Sequence, residues 1–280
     1  MNLHQLILAK NACYIAGRKI KPTGIMVHST GVNNPRISRY VGPDDGQLGQ
    51  NKYNNHWNQP MTRNVCVHAF IGLLGDGKTI ATYQTLPWDH RAWHGASGPK
   101  GSVNDTHISF EICEDGLRDR AYFNAVYKEA TELCAMLCVL YSINPLQKSG
   151  THGIIDHVGG AALGVASTNR SDVGHWFPRH GKSMDTFRTD VKKLLDMEDD
   201  GMTTAEIKKI VREVLDEDNP MYKDIKDVPN YWRLEVQRML DSGAIDGGTP
   251  ADVNPTDVNT RHETLKAAVI AVRHQLANSL

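Results

Sequence analysis

The chain has 280 residues, 40% hydrophobic and 22% charged, with a formal net charge of -1. At about 100–200 residues per domain, that length predicts one large domain and one small one. The near-neutral balance excludes bulk electrostatic attraction to nucleic acid or to an anionic membrane. No stretch approaches the roughly 18 apolar residues of a membrane span, so membrane insertion is not expected.

The five cysteines (Cys13, Cys66, Cys113, Cys134, Cys138) show no C-x-x-C or other metal-ligand spacing. Cys134 and Cys138 stand four apart among Ala, Met and Leu, the pattern of buried free thiols on a helix. An odd count without a framework suits synthesis in a reducing compartment. The N-terminal MNLHQLILAKNACYIAG has neither a basic leader nor a long enough apolar run for a signal peptide. The expectation is synthesis in the cytoplasm, with any export left to other machinery.

In chain order, residues 1–20 read as a short helix or an extended lead-in. IKPTGIMVHST (20–30) reads as a strand with His28 near its C-terminal end. Residues 31–64 are polar and turn-rich, a long excursion with at most one helical turn. NVCVHAFIG (64–72) is a second strand, and GDGKT (75–79) turns the chain back into IATYQTLP. After the Gly-rich loop 88–105, THISFEICE (106–114) is a third strand. Residues 118–143 carry Phe123, Val126, Tyr127, Ala130, Leu133, Cys134 and Leu137 at helical spacing, and Asn144-Pro145 ends that helix.

Thr151–Gly181 then gathers four His (His152, His157, His175, His180), two Asp and a Trp into a Gly-rich segment without clear periodicity. It reads as a long loop with chemistry in it. A helix over 183–199 follows. The fold class expected is α/β, a mixed central β-sheet flanked by helices, with a small, mainly helical C-terminal domain. The boundaries expected are 1–198 for the first domain, 199–204 for a polar linker and 205–280 for the second.

Zinc hydrolysis takes three protein ligands, an open position for water and a nearby base. The candidates are His28 at a strand end with His157 and Asp172 from the His-rich segment; His152 competes for the second place and His175 for the third. IMVHST, VHAFIGLLGDGKTIATY, AWHGA, NDTHISFEI and the H-x-G-G…N-R-S-D stretch, in that order, resemble the zinc-dependent N-acetylmuramoyl-L-alanine amidases. These share their fold with peptidoglycan-recognition proteins and phage endolysins. The resemblance covers about residues 20–196.

It implies zinc held by His28, His157 and Asp172, with Glu111 as general base. Arg170 stands where the family commonly carries a Lys, two positions before the third ligand. A guanidinium there stabilises an oxyanion but does not trade a proton near neutrality. His68, Trp93 and His94 are expected to line the substrate groove. The reaction implied is hydrolysis of the amide between N-acetylmuramic acid and the L-alanine of the stem peptide in bacterial peptidoglycan.

Residues 222–273 are similar to an S-layer-homology wall-anchoring module: an aromatic-x-Asp start, Tyr231-Trp232, a Gly247-Gly248 turn, and Thr260 with Glu263 opening a last helix. Its implied partner is a secondary wall polymer. The leading expectation is a phage endolysin released by a holin. The alternatives are a non-catalytic peptidoglycan binder of the same fold and a cytosolic amidase that recycles muropeptides.

Overall fold

A computed structural model describes residues 1–60, 65–168, 170–198, 221–228, 233–241 and 257–261. The chain divides into two compact units, Met1–Thr204 and Ala205–Leu280. The first is built around β2 (Gly24–Asn33), whose GIMVHS run is buried on both faces. A near-continuous apolar run is what a central parallel strand requires. β2 lies between β5 (His107–Glu114) and β6 (Gly153–Asp156), parallel to both. With β1 (Leu3–Gln5), β3 (Ala69–Leu73) and β4 (Ile80–Gln84), these form a mixed six-stranded sheet in the order β1-β4-β3-β5-β2-β6. The lead-in thus supplies both an edge strand and a short helix, α1 (Ala12–Ile15).

Alternation along the strands separates two cores. Ile25, Val27, Ile108, Phe110, Ile112 and Ile154 pack in one core with the long helix α2 (Arg120–Tyr141) and with α5 (Met184–Glu198), whose Arg188 donates to the Ile154 carbonyl. Asp119 caps α2 by accepting from the backbone N–H groups of Ala121 and Tyr122. On the opposite face Met26 and Ile155 pack with Val103, Val165 and Ala166, while Phe70 and Tyr83 pack with Tyr40 and Leu48. His28 and Glu111 lie on that second face by the same alternation. All five cysteines are buried and free, and no helix among the described residues is long and apolar enough to cross a membrane.

Thr151–Gly181 is more ordered than its sequence suggests. It contains β6, α3 (His157–Leu163) and α4 (Val173–Trp176), with a 3-10 turn over Phe177–His180. The apolar signal of β6 is only Ile154-Ile155, too short to reveal a strand. α3 carries two Gly in seven residues, which hides its helical tendency. β6 starts on Gly153 at φ +88°, where a Cβ would lie 1.8 Å from the Gln147 carbonyl oxygen.

In the second unit, β7 (Met221–Asp224) pairs antiparallel with β8 (Asp257–Arg261), and a 3-10 turn over Ile225–Asp227 leads toward α6 (Arg233–Asp241). Thr260 therefore lies in a strand opposite Tyr222 instead of opening a helix. Strand pairing across the unit takes the residues that a local capping pattern would claim. The helix expected after Thr203–Thr204, the Tyr231-Trp232 pair and the Gly247-Gly248 turn lie outside the described residues.

Two histidines are structural. His68 is fully buried; its Nε2–H donates to the His90 carbonyl (2.8 Å) and its Nδ1 accepts from the Ser109 N–H (3.0 Å). Burial pushes its pKa down to about 4, and burial does the same to His107.

Two outcomes follow from this packing. Gly153→Ala is expected to lose on the order of 1–3 kcal/mol from the positive φ alone, and more from the clash, read as a fall in the denaturation midpoint. Between pH 6.5 and about 4 the unfolded chain takes up protons that buried His68 and His107 refuse. Stability should therefore fall with pH through that window, by up to about 3 kcal/mol for each ring. Urea denaturation of the metal-free chain across the window, with imidazole nitrogen NMR of His68, checks this; a His68 ring that titrates near 6.5 would contradict it.

Candidate metal centre

Parallel pairing puts His28 and Glu111 in direct register, so both side chains leave the same face, one position past the last β2–β6 pair (Val27–Asp156) and just before the β2–β5 register shifts after Ser29. In open α/β sheets ligands bind at the carboxyl ends of the strands. β6 ends beside them. Its last residue, Asp156, accepts from the Gly159 N–H (2.8 Å) and so caps α3, whose first residue is His157. The third component arrives from the turn before α4. Asp172 sits there at φ 41°, ψ -129°, a left-handed conformation that costs a residue with a Cβ on the order of 1–3 kcal/mol. Its carboxylate makes no capping bond to α4. It turns instead toward the two histidines.

Asp172 Oδ2 lies 2.8 Å from His28 Nδ1 and 3.4 Å from His157 Nδ1. All three residues are buried, and one ligand atom from each falls within 4.8 Å of the other two. Burial works against the Asp172 carboxylate, but hydrogen bonds and charge from His157 and His28 outweigh it and hold its pKa well below the usual carboxylate range. The opposite nitrogens are also engaged: His28 Nε2 lies 3.1 Å from His94 Nδ1, and His157 Nε2 lies 3.0 Å from Ser167 Oγ. Both imidazoles are thereby oriented with Nδ1 toward the shared carboxylate, the second-layer arrangement of ligating histidines. Two imidazole nitrogens and one carboxylate oxygen, converging and buried, are a donor set that suits zinc and leaves a fourth position open.

Glu111 stands between His28 and Phe70 in the sheet register. Its Oε2 is buried and has no hydrogen-bond partner among the described residues. Burial raises its pKa well above the ordinary value, the negative charges of Asp172 and Glu114 add to the rise, and Arg170 partly opposes it. Such a carboxyl is poised to exchange a proton. Arg170 itself is exposed and acts on this centre as a charge.

The remaining expected site residues separate. His94 joins the cluster, but through His28. Its burial and the neighbouring His28 ring push its pKa well below normal, which keeps it neutral. Trp93, next to it, is 39% exposed, with the Arg91 guanidinium over its ring. His68 does not line the groove: it is fully buried, with both ring nitrogens bonded inside the core. His152 is exposed at the opposite end of β6 from His157, which removes it from the ligand set. His175 pairs with Glu114 (3.1 Å) rather than with the cluster.

Sequence reasoning missed Asn104, Ser167 and Glu114. Asn104 is fully buried and accepts from the N–H groups of His94 (2.8 Å) and Gly95 (3.1 Å), fixing the turn that carries His94. Its place in the NDTHISFEI motif was the available signal. Ser167 carried none.

Among solved structures, the chain is similar in shape to PlyL at 18% identity and a TM-score of 0.45, covering 68% of this chain and 96% of that one. A Staphylococcus aureus hydrolase, AmiA, in complex with its ligand matches at 19% identity and a TM-score of 0.46, over 69% of this chain and 82% of that one. A mutant endolysin from Bacillus subtilis matches at 20% and 0.44, over 68% and 99%. No curated protein sequence matches the chain significantly. The family model described as N-acetylmuramoyl-L-alanine amidase matches residues 18–175, a span that contains His28, Glu111, His157 and Asp172. The chain belongs to the N-acetylmuramoyl-L-alanine amidase family.

Proposed function

We propose that the chain is a zinc-dependent hydrolase that cuts peptidoglycan between the lactyl group of N-acetylmuramic acid and the L-alanine of the stem peptide. The observation that carries this reading is the convergence of His28, His157 and Asp172, with Glu111 in register beside His28, inside the segment that matches the family. Zinc held by those three donors supplies a Lewis acid for the scissile carbonyl and lowers the pKa of the attacking water.

The protein's own groups do the rest. Glu111 takes a proton from the attacking water and returns it to the leaving amine nitrogen; its raised pKa suits both halves of that exchange. Arg170 supplies a fixed positive charge toward the oxyanion. His94 and Ser167 keep the two imidazoles turned toward Asp172. Trp93 offers a half-open aromatic face for the substrate. The endolysin role with holin-dependent release, and wall anchoring by residues 205–280, rest on the sequence motifs alone.

Purified protein is expected to hold zinc, to clear a wall suspension and to release new L-alanine amino groups without new reducing sugar, and a chelator should stop it. His28→Ala and Asp172→Ala should lose metal and activity together. Glu111→Ala should keep its zinc while the rate falls by about 10²–10⁴-fold. Full activity in Glu111→Ala would refute the base assignment. Wall binding without amine release would favour the non-catalytic alternative, and a preference for soluble muropeptides over intact wall would favour the recycling one.

A further inference from the structure

Glu114 ends β5, three residues beyond Glu111, and strand alternation sends it to the other side of the sheet with Phe110 and Ile112. It is a buried carboxylate, 3% exposed, and joins three segments. One oxygen accepts from Ser29 Oγ at 2.6 Å and from the Gly31 N–H at 3.1 Å. His175 Nε2 meets the same carboxylate at 3.1 Å from one oxygen and 3.2 Å from the other. Ser29 adjoins His28. His175 lies on the four-residue helix that starts straight after Asp172, and its Nδ1 is 3.1 Å from Ser171 Oγ on the other side of that ligand. Glu114 therefore grips the residues flanking two proposed ligands that stand 144 positions apart in the chain.

We propose that Glu114, acting through His175, is a positioning residue that sets the spacing between His28 and Asp172, an inference that rests on the zinc reading above. The need for such a tie is visible at Asp172. Its backbone is held at a positive φ and its carboxylate is withheld from capping α4, so the turn, closed by the Gly174 N–H donating to the Ser171 carbonyl (2.8 Å), carries strain that contacts with other segments must offset. Val173 and Trp176 seat the four-residue helix on the core, but a single turn has little internal hydrogen bonding to fix the direction of the residue before it. The Glu114–His175 contact ties that turn to the strand end that carries His28.

The test measures zinc affinity of the full chain by competition with a chromophoric chelator, together with the visible spectrum of the cobalt-substituted protein. Glu114→Ala is expected to weaken zinc binding about 10–100-fold and to alter the cobalt spectrum. Glu114→Gln keeps an acceptor for Ser29 and Gly31 and an amide hydrogen for His175, and should restore most of the affinity and the spectrum. His175→Ala should weaken binding on its own and add nothing in the Glu114→Ala background, because both act through one contact. If Glu114→Ala does not fold, His175→Ala and Glu114→Gln carry the comparison.

A folded Glu114→Ala with wild-type zinc affinity and cobalt spectrum overturns the proposal, as do additive losses in the double variant. With Glu114→Ala unfolded, wild-type affinity in His175→Ala does the same. A wild-type chain that takes up no zinc overturns the metal reading itself, which separates the two failures.

Discussion

The constraint on which the site depends is the parallel register of β2 with β5 and β6. Pairing Gly24 with His107 and with Gly153 brings His28 level with Glu111 and ends β6 one residue short of His157. A slip of one residue would turn every side chain of β2 to the other face, burying His28 against α2 and exposing Val27 to the site. The apolar pattern enforces the register because Ile25 and Val27 must meet Ile108, Phe110 and α2. Hydrophobic packing on one face of the sheet thus fixes polar geometry on the other.

The close approach of Gly24 to His107 reinforces that register. A Cβ on Gly24 would lie 2.4 Å from the His107 ring, so the first residue of β2 is seated against the first residue of β5. Asp172 is placed differently, by contacts with other segments. Its backbone sits where residues with a Cβ are uncommon, and it stays there because its carboxylate is engaged by two buried imidazoles. Strain of this kind persists only where the surroundings over-determine it.

Much of this was legible in the residues. β2, β5 and α2 declare themselves through apolar runs and helical spacing, and the three converging donors stand in motifs whose order could be read directly. What was hidden is hidden for identifiable reasons. β6 is four residues long and α3 is glycine-rich, so neither has a periodicity that local reading detects. His68 looked like a groove residue because a histidine near a strand is ambiguous until its burial is known; the Ser109 and His90 backbones that satisfy it lie far along the chain or across a loop. Glu114 resembled any acidic residue at a strand end. Its partners come from β2 and α4, which no local window contains.

The junction of β6 and α3 has a mechanical consequence. Asp156 is at once the last residue of the strand and the cap of the helix, and His157 follows with no intervening link. The histidine therefore has no slack of its own. Any tilt of α3, whose Val158 is half exposed beside it, acts on His157 as a lever with its fulcrum at Asp156. Gly164, at φ +78°, closes the far end of α3, and its carbonyl accepts from the Lys100 N–H at 2.8 Å, so the helix that carries His157 is tied to the rest of the chain at both ends.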